Sequence, residues 1–125
     1  MTPPEVDIED HTEKNQEQQS PLFSNVYEFV DKLILPLYGL PKTLKPNWSD
    51  KWWAHPEAVI RLEALWLRFE ALRREEPVTF METFLRIHAD YHMDRLMYPQ
   101  GVFSQCRKED VPASPLPSSP IPRKD

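Results

Sequence analysis

Apolar residues recur at helical spacing in the middle of the chain, and the first such stretch runs from Val26 to Ile34. Ser24 stands just ahead of this stretch and belongs to the residue types favoured at a helix N-cap. Because Pro36 has no amide hydrogen and its ring crowds the preceding turn, we expect the first helix to end or kink there. The glycine and prolines that follow predict a loop.

The second predicted helix has the most regular pattern of the chain. Pro56 suits the first helical position, where its missing amide costs nothing, and Glu57 complements the helix dipole at that end. Glu57 and Arg61 have the spacing of an ion pair worth ~0.3 kcal/mol. Pro77 predicts the end of the helix. The large apolar side chains that should form its buried stripe are Val59, Leu62, Leu65, Trp66, Phe69 and Leu72.

A third helix is predicted to begin at Thr79, which with Glu82 matches a capping box. In that motif the two side chains bind free amides of the first turn. We expect this helix to run to about Met97, ahead of Pro99, and a turn then leads to Cys106. The residues predicted to share one face of this helix are Met81, Phe84, Leu85, His88, His92 and Leu96.

The segment 48–55 predicts a short helical turn before the second helix, with Trp52 and Trp53 capping the core. No strand, hairpin or repeat pattern is visible in the chain. The sequence therefore predicts an all-α fold: a small three-helix domain with a short extra helical turn, flanked by disordered tails.

Aromatic residues define the predicted domain boundaries, because all fourteen fall within residues 21–106. Residues 1–20 carry six acidic side chains and one lysine, so we expect a disordered acidic tail. Residues 107–125 are rich in proline and serine and predict a disordered tail that samples polyproline conformations. Two P-x-x-P segments, 112–115 and 117–120, resemble ligands of aromatic grooves, although a stiff solvated tail is the simpler interpretation.

The net charge of −5 lies mainly in the acidic N-terminal tail, since residues 21–106 hold eleven acidic and ten basic side chains. Bulk charge therefore does not support a nucleic-acid surface. The single cysteine excludes an intrachain disulfide, and no apolar run approaches the roughly 20 residues of a membrane span. With no signal-peptide pattern at the N-terminus, these features predict a cytoplasmic protein that does not contact membranes.

His88 and His92 are four residues apart on the predicted third helix, a spacing at which two imidazoles can bind one metal ion. His55 and Cys106 could complete a set of nitrogen and sulfur donors suited to zinc. In the alternative interpretation the four residues are packing elements and no cofactor is bound. Asp90 is expected either to orient a neighbouring ligand or to lie on a solvated face.

The chain contains no P-loop, Rossmann glycines, G-x-S-x-G or H-E-x-x-H motif, and an activated Cys106 is the weakest functional candidate. Whether the protein is an enzyme stays undecided, but the sequence favours a protein without catalytic activity.

The leading interpretation is a helical interaction module that binds a protein partner or a second copy of itself. Trp48, Trp52 and Trp53 could anchor that surface, with core packing as the alternative. A zinc-stabilised domain associated with DNA is the second interpretation.

The string WWAHPEAVIRLEALW, residues 52–66, resembles the signature W-W-x-H-P-E-A-x-x-R-L-x-A-L-W of an uncharacterised domain family of actinobacteria and their plasmids and phages. Residues 86–93 and 101–106 are similar to its R-D-H-x-D-x-H and G-P-F-x-x-C segments, and the resemblance covers about residues 22–106. The chain departs from the family at Ser49, where W-C-P is common, so a family metal site that used this cysteine would lack a ligand here. The resemblance implies a bacterial accessory protein of a mobile element and no established activity.

Overall fold

The computed structural model describes residues 20–122, and its secondary structure within this range is helical, without strands. Helix α1 is built from three consecutive segments: an α-helical Val26–Phe29, a π-helical Val30–Ile34 and an α-helical Leu35–Leu37. The predicted acidic tail lies outside the described residues except for its last position.

A single 3₁₀ turn, Trp52–Ala54, leads into helix α2, Pro56–Glu75. Helix α3 again combines three segments: Phe80–Thr83 is α-helical, Phe84–Ala89 is π-helical and Asp90–Met97 is α-helical. The all-α class, the three helices and the short extra helical turn are therefore confirmed for the described part of the chain.

Helix α1 begins one residue later than expected, because Asn25 rather than Ser24 supplies the N-cap. The backbone of Asn25 is extended, and its side chain accepts a hydrogen bond of 2.9 Å from the amide of Glu28. Ser24 instead donates its hydroxyl to the carboxylate of Glu28. The helix then continues through Pro36 to Leu37, directly after its π-helical turn.

Helix α3 begins at the predicted place but without the predicted capping box. Thr79 has φ −116° and ψ 7°, away from the extended conformation of an N-cap, and its side chain makes no capping bond. Its carbonyl instead accepts from the amides of Glu82 and Thr83. The carboxylate of Glu82 lies 2.6 Å from Arg86 one turn later, so it does not reach the amide of Thr79.

The π-helical turn of α3 changes which side chains face the core. Phe84 is buried, and the next buried position is Ala89 rather than His88. A π turn holds one residue more than an α turn, which carries His88 and His92 to the edge of the core. Both are half-buried there, while Phe84 and Leu96 of the predicted face are buried.

Phe69 of α2 lies at the centre of an aromatic core. Its ring centroid is 5.1–5.7 Å from the rings of Phe23, Phe29, Phe80 and Phe84. These residues come from the segment before α1, from α1 and from α3, so one side chain of α2 contacts every other part of this core. Tilted and edge-to-face ring pairs contribute about 0.5–1.5 kcal/mol each beyond the burial of their surface.

Gly101 allows the chain to turn back closely against the end of α3. A Cβ at this position would lie 2.2 Å from the carbonyl oxygen of Arg95. The turn lets the amides of Val102 and Phe103 donate to the carbonyls of Arg95 and Leu96, at 3.3 and 3.0 Å. Carbonyls in the last turn of a helix have no helical partner, so these bonds satisfy them. Phe103 is thereby brought into the core, where it is fully buried.

Replacing Gly101 with alanine should lower the free energy of unfolding by about 1–3 kcal/mol, because the new methyl group forces two backbone segments apart. Urea unfolding with an unchanged m-value measures this loss. Gly39→Ala is the matched control, since a Cβ there would meet its nearest atom at 3.4 Å, an ordinary contact. An equal loss of stability in both variants would contradict the account of Gly101.

Candidate functional site

His55 is a buried histidine that connects the 3₁₀ turn to helix α2. Its amide donates to the carbonyl of Trp52 at 3.0 Å, and Pro56 after it restricts its backbone to an extended conformation. Its ring is 1% exposed and meets the edge of Phe103 at a centroid distance of 5.0 Å. The backbone on both sides thus fixes where the imidazole lies.

Asp110, far along the chain, is the hydrogen-bond partner of this imidazole. One oxygen, Oδ1, lies 2.6 Å from Nε2 of His55 and accepts the hydroxyl of Ser49 at 2.5 Å. The bonds from His55 and Ser49 hold the pKa of Asp110 below its usual value. Because an ionised Asp110 can only accept, Nε2 carries the shared proton. Nδ1 of His55 is buried and has no hydrogen-bond partner within residues 20–122.

Ser49 is a buried hydroxyl that helps to hold Asp110. It is 1% exposed, and its Oγ accepts the amide of Lys51 at 3.0 Å while it donates to Asp110. Ser49 therefore links the segment before the 3₁₀ turn to Asp110.

Cys106 completes the cluster from the segment that follows Phe103. Its thiol is buried and donates to the carbonyl of Val111, with 3.6 Å between sulfur and oxygen. One potential ligand atom each of His55, Cys106 and Asp110 lies within 4.8 Å of the other two. Contacts of the folded part thus continue to Val111, beyond the residue at which the domain was predicted to end.

His88 and His92 do not join this cluster. Nε2 of His88 accepts a hydrogen bond of 3.3 Å from Arg68, and Nδ1 of His92 lies 3.1 Å from a guanidinium nitrogen of Arg61. Burial first, and then the neighbouring arginine, lowers the pKa of each imidazole. Two guanidinium charges also repel a cation at this place. The predicted four-residue metal set is not assembled: the structure brings together only His55 and Cys106 of its members.

Asp110 and Ser49 carry no local sequence signal of their role, because both lie in irregular segments that meet only in the folded chain. Asp90, considered for a place beside a ligand, instead accepts the hydroxyl of Tyr38 at 2.6 Å and ties α3 to the end of α1. Burial, followed by this bond, raises the pKa of Tyr38.

The three tryptophans predicted as an interaction surface occupy different environments. Trp52 is in the core, and Trp48 packs partly buried against Phe103 with ring centroids 4.8 Å apart. Trp53 is 54% exposed, so the expectation that it caps the core is wrong. A surface built from all three is therefore not present.

A row of exposed apolar side chains lies on α2, opposite its buried side. Ile60 and Leu67 are 70% and 55% exposed, Ala64 is exposed and Ala71 is partly exposed. We call these four residues the outer stripe. They follow one another at intervals of four, three and four residues, which is the spacing of a coiled-coil seam. None of the helices within residues 20–122 has the length and apolarity needed to cross a membrane.

The model of one protein family, described as a domain of unknown function (DUF4913), matches residues 23–123. That range includes all three helices, the outer stripe and the cluster around His55. No curated protein and no solved structure shows significant similarity to the chain.

Replacing both His88 and His92 with glutamine should flatten the loss of stability on acidification. Both pKa values lie below the 6.5 of an unperturbed histidine in the folded chain. As the pH falls through 6.5, protons therefore bind the unfolded chain first and the free energy of unfolding drops. Glutamine can still accept a bond from arginine but takes up no proton.

The measurement is urea unfolding of the wild type and the double variant at about pH 7 and about pH 5. A smaller difference between the two pH values is expected for the variant. The same difference in both proteins would show that the two imidazoles do not have lowered pKa values.

Proposed function

The chain belongs to the DUF4913 family, whose function is unknown, and we propose that it is a non-catalytic interaction module that pairs with a second copy of itself. The guide to this role is the surface of the chain itself. The observation that carries this proposal is the outer stripe of α2. A helix whose inner side already contacts the core has no structural need for a second apolar row on its outer side.

The composition of the outer stripe suits close packing of two helices. Ala64 and Ala71 leave room for the backbones to approach, while Ile60 and Leu67 provide the apolar surface. Full burial of one such large side chain contributes about 1.5–3 kcal/mol. In a two-fold symmetric contact each side chain is buried in both copies, so the gain applies twice.

The charges beside the outer stripe favour a parallel pair of α2 helices. Glu63 lies on one side of the stripe and Arg68 on the other, five residues later. This is the spacing at which flanking residues of two parallel helices meet across a coiled-coil seam. Glu63 has no ion pair or hydrogen bond among the described residues, so its carboxylate is available to a second copy. Arg68 contacts His88 and Glu75 of its own chain at 3.3 and 3.6 Å, and pairing with Glu63 would add to or replace these contacts. In an antiparallel pair like charges would meet instead.

The arrangement around Cys106 supports a module that acts by contact rather than by catalysis. A nucleophilic thiolate needs a base or a cation beside the sulfur. The imidazole of His55 lies near Cys106 but shares its Nε2 proton with Asp110, and the thiol of Cys106 donates to a backbone carbonyl and is 5% exposed. The proposed setting, a bacterial cytoplasm and a plasmid or phage, is supported by the sequence resemblance of residues 52–66 and by the single cysteine.

Leu67→Glu should weaken self-association at least about tenfold, which corresponds to about 1.4 kcal/mol, because a carboxylate in the stripe loses its hydration on pairing. Sedimentation equilibrium at several concentrations measures the effect. Val78→Glu is the matched control, since Val78 is 93% exposed in the turn after α2 and lies off the stripe. A wild type that stays monomeric at all concentrations would refute the proposal.

A charge exchange tests the orientation of the pair. Glu63→Lys and Arg68→Glu should each weaken association, because each places like charges together across a parallel seam. The two substitutions in one chain should restore it. If the double variant associates as weakly as the single variants, the parallel arrangement is excluded. The role of the outer stripe is tested separately by Leu67→Glu.

A further inference from the structure

We propose that His55, Cys106 and Asp110 form a zinc site that fastens the segment after Phe103, which carries Cys106 and Asp110, to the start of helix α2. The inference is independent of self-association, because the cluster does not include the outer stripe. Its basis is the convergence of three different donor side chains, from distant parts of the chain, to within 4.8 Å of one another.

The distances suit an ion with short ligand bonds. Zinc binds imidazole nitrogen, thiolate sulfur and carboxylate oxygen at about 2.0–2.3 Å, so ligands around it lie roughly 3–4 Å from one another. Nε2 of His55 and Oδ1 of Asp110 are 2.6 Å apart, and the ion would replace the proton between them, which moves to the unpartnered Nδ1 of the same ring. The two side chains need to move apart by less than about 1 Å to make room for the ion.

The charges of the three ligands also suit a divalent cation. The thiolate of Cys106 and the carboxylate of Asp110 together neutralise Zn²⁺, while His55 binds as a neutral ring. A site without net charge is far less costly to bury than a bare ion. This matters because His55 and Cys106 are only 1% and 5% exposed. Binding releases the thiol proton of Cys106.

A cleft of about 390 Å³ opens beside two of the three ligands, Cys106 and Asp110. Its other charged side chains are those of Asp50, Lys51, Arg107, Lys108 and Glu109, so both acids and bases line it. Three protein ligands leave one position of a tetrahedral ion open, which water can fill. Ser49 positions Asp110 through its hydroxyl and is not itself a charged ligand.

In the fold, the ion would cross-link the segment after α3 to the start of α2. Asp110 lies beyond Cys106, and His55 precedes α2, so one ion would link both C-terminal residues to the beginning of that helix. His88 and His92 have no part in the site, since each contacts an arginine of α2 within hydrogen-bond distance.

The test uses the full chain without a histidine tag and titrates it with Co²⁺, a spectroscopic probe that occupies zinc sites. We expect about one ion per chain, a thiolate-to-cobalt charge-transfer band, and a melting temperature that Zn²⁺ raises and a chelator lowers. A titration without this band and melts unaffected by zinc would overturn the proposal.

Variants assign the ligands. Asp110→Asn should weaken Co²⁺ binding at least about tenfold, and Ser49→Cys should strengthen it at least about tenfold by adding a thiolate beside Asp110. Cys106→Ser should abolish the charge-transfer band; should it fail to fold, the other two variants still decide. The double variant H88Q/H92Q is the control and should bind like the wild type. Loss of binding in this control, or unchanged affinity in Asp110→Asn, would overturn the proposed ligand set.

Discussion

The close approach of Gly101 to the carbonyl of Arg95 holds the C-terminal part of this fold in place. The backbone passes where no Cβ fits, and this allows the amide of Phe103 to bond the end of α3. Phe103 then enters the core between Trp48 and His55. The residues after it bring a thiol and a carboxylate to the same imidazole, so the cluster depends on a turn far from His55 in sequence.

Helix α2 links the aromatic core, the polar cluster around His55 and the outer stripe. Its inner side carries Phe69, around which the aromatic core is organised, and its first turn follows directly on His55 and the polar cluster. Its outer side carries the stripe with Ile60 and Leu67. The helix is therefore placed rigidly by its inner contacts, which makes its outer side a defined surface rather than a flexible one.

The sequence predicts the bounds of α2 well, because Pro56 and Pro77 lack the amide that a helix interior needs. Pro36 does not end α1 in the same way, since that helix continues through it to Leu37. In α3, Phe84 and Leu96 of the predicted face lie in the core, but His88 and His92 lie at its edge, because the spacing was interpreted with α-helical geometry across a π turn. In the site, His55 and Cys106 are identified by residue type, whereas the role of Asp110 depends on a chain reversal that no local pattern encodes.

Native-state hydrogen exchange of the Phe103 amide reports on the chain reversal, because this amide forms the bond that closes the reversal onto Leu96. We expect exchange only through global unfolding, with the same free energy of opening as amides in the middle of α2. Exchange of the Phe103 amide close to the rate of an unfolded chain would contradict this expectation, since the C-terminal segment would then not be fastened to the helices.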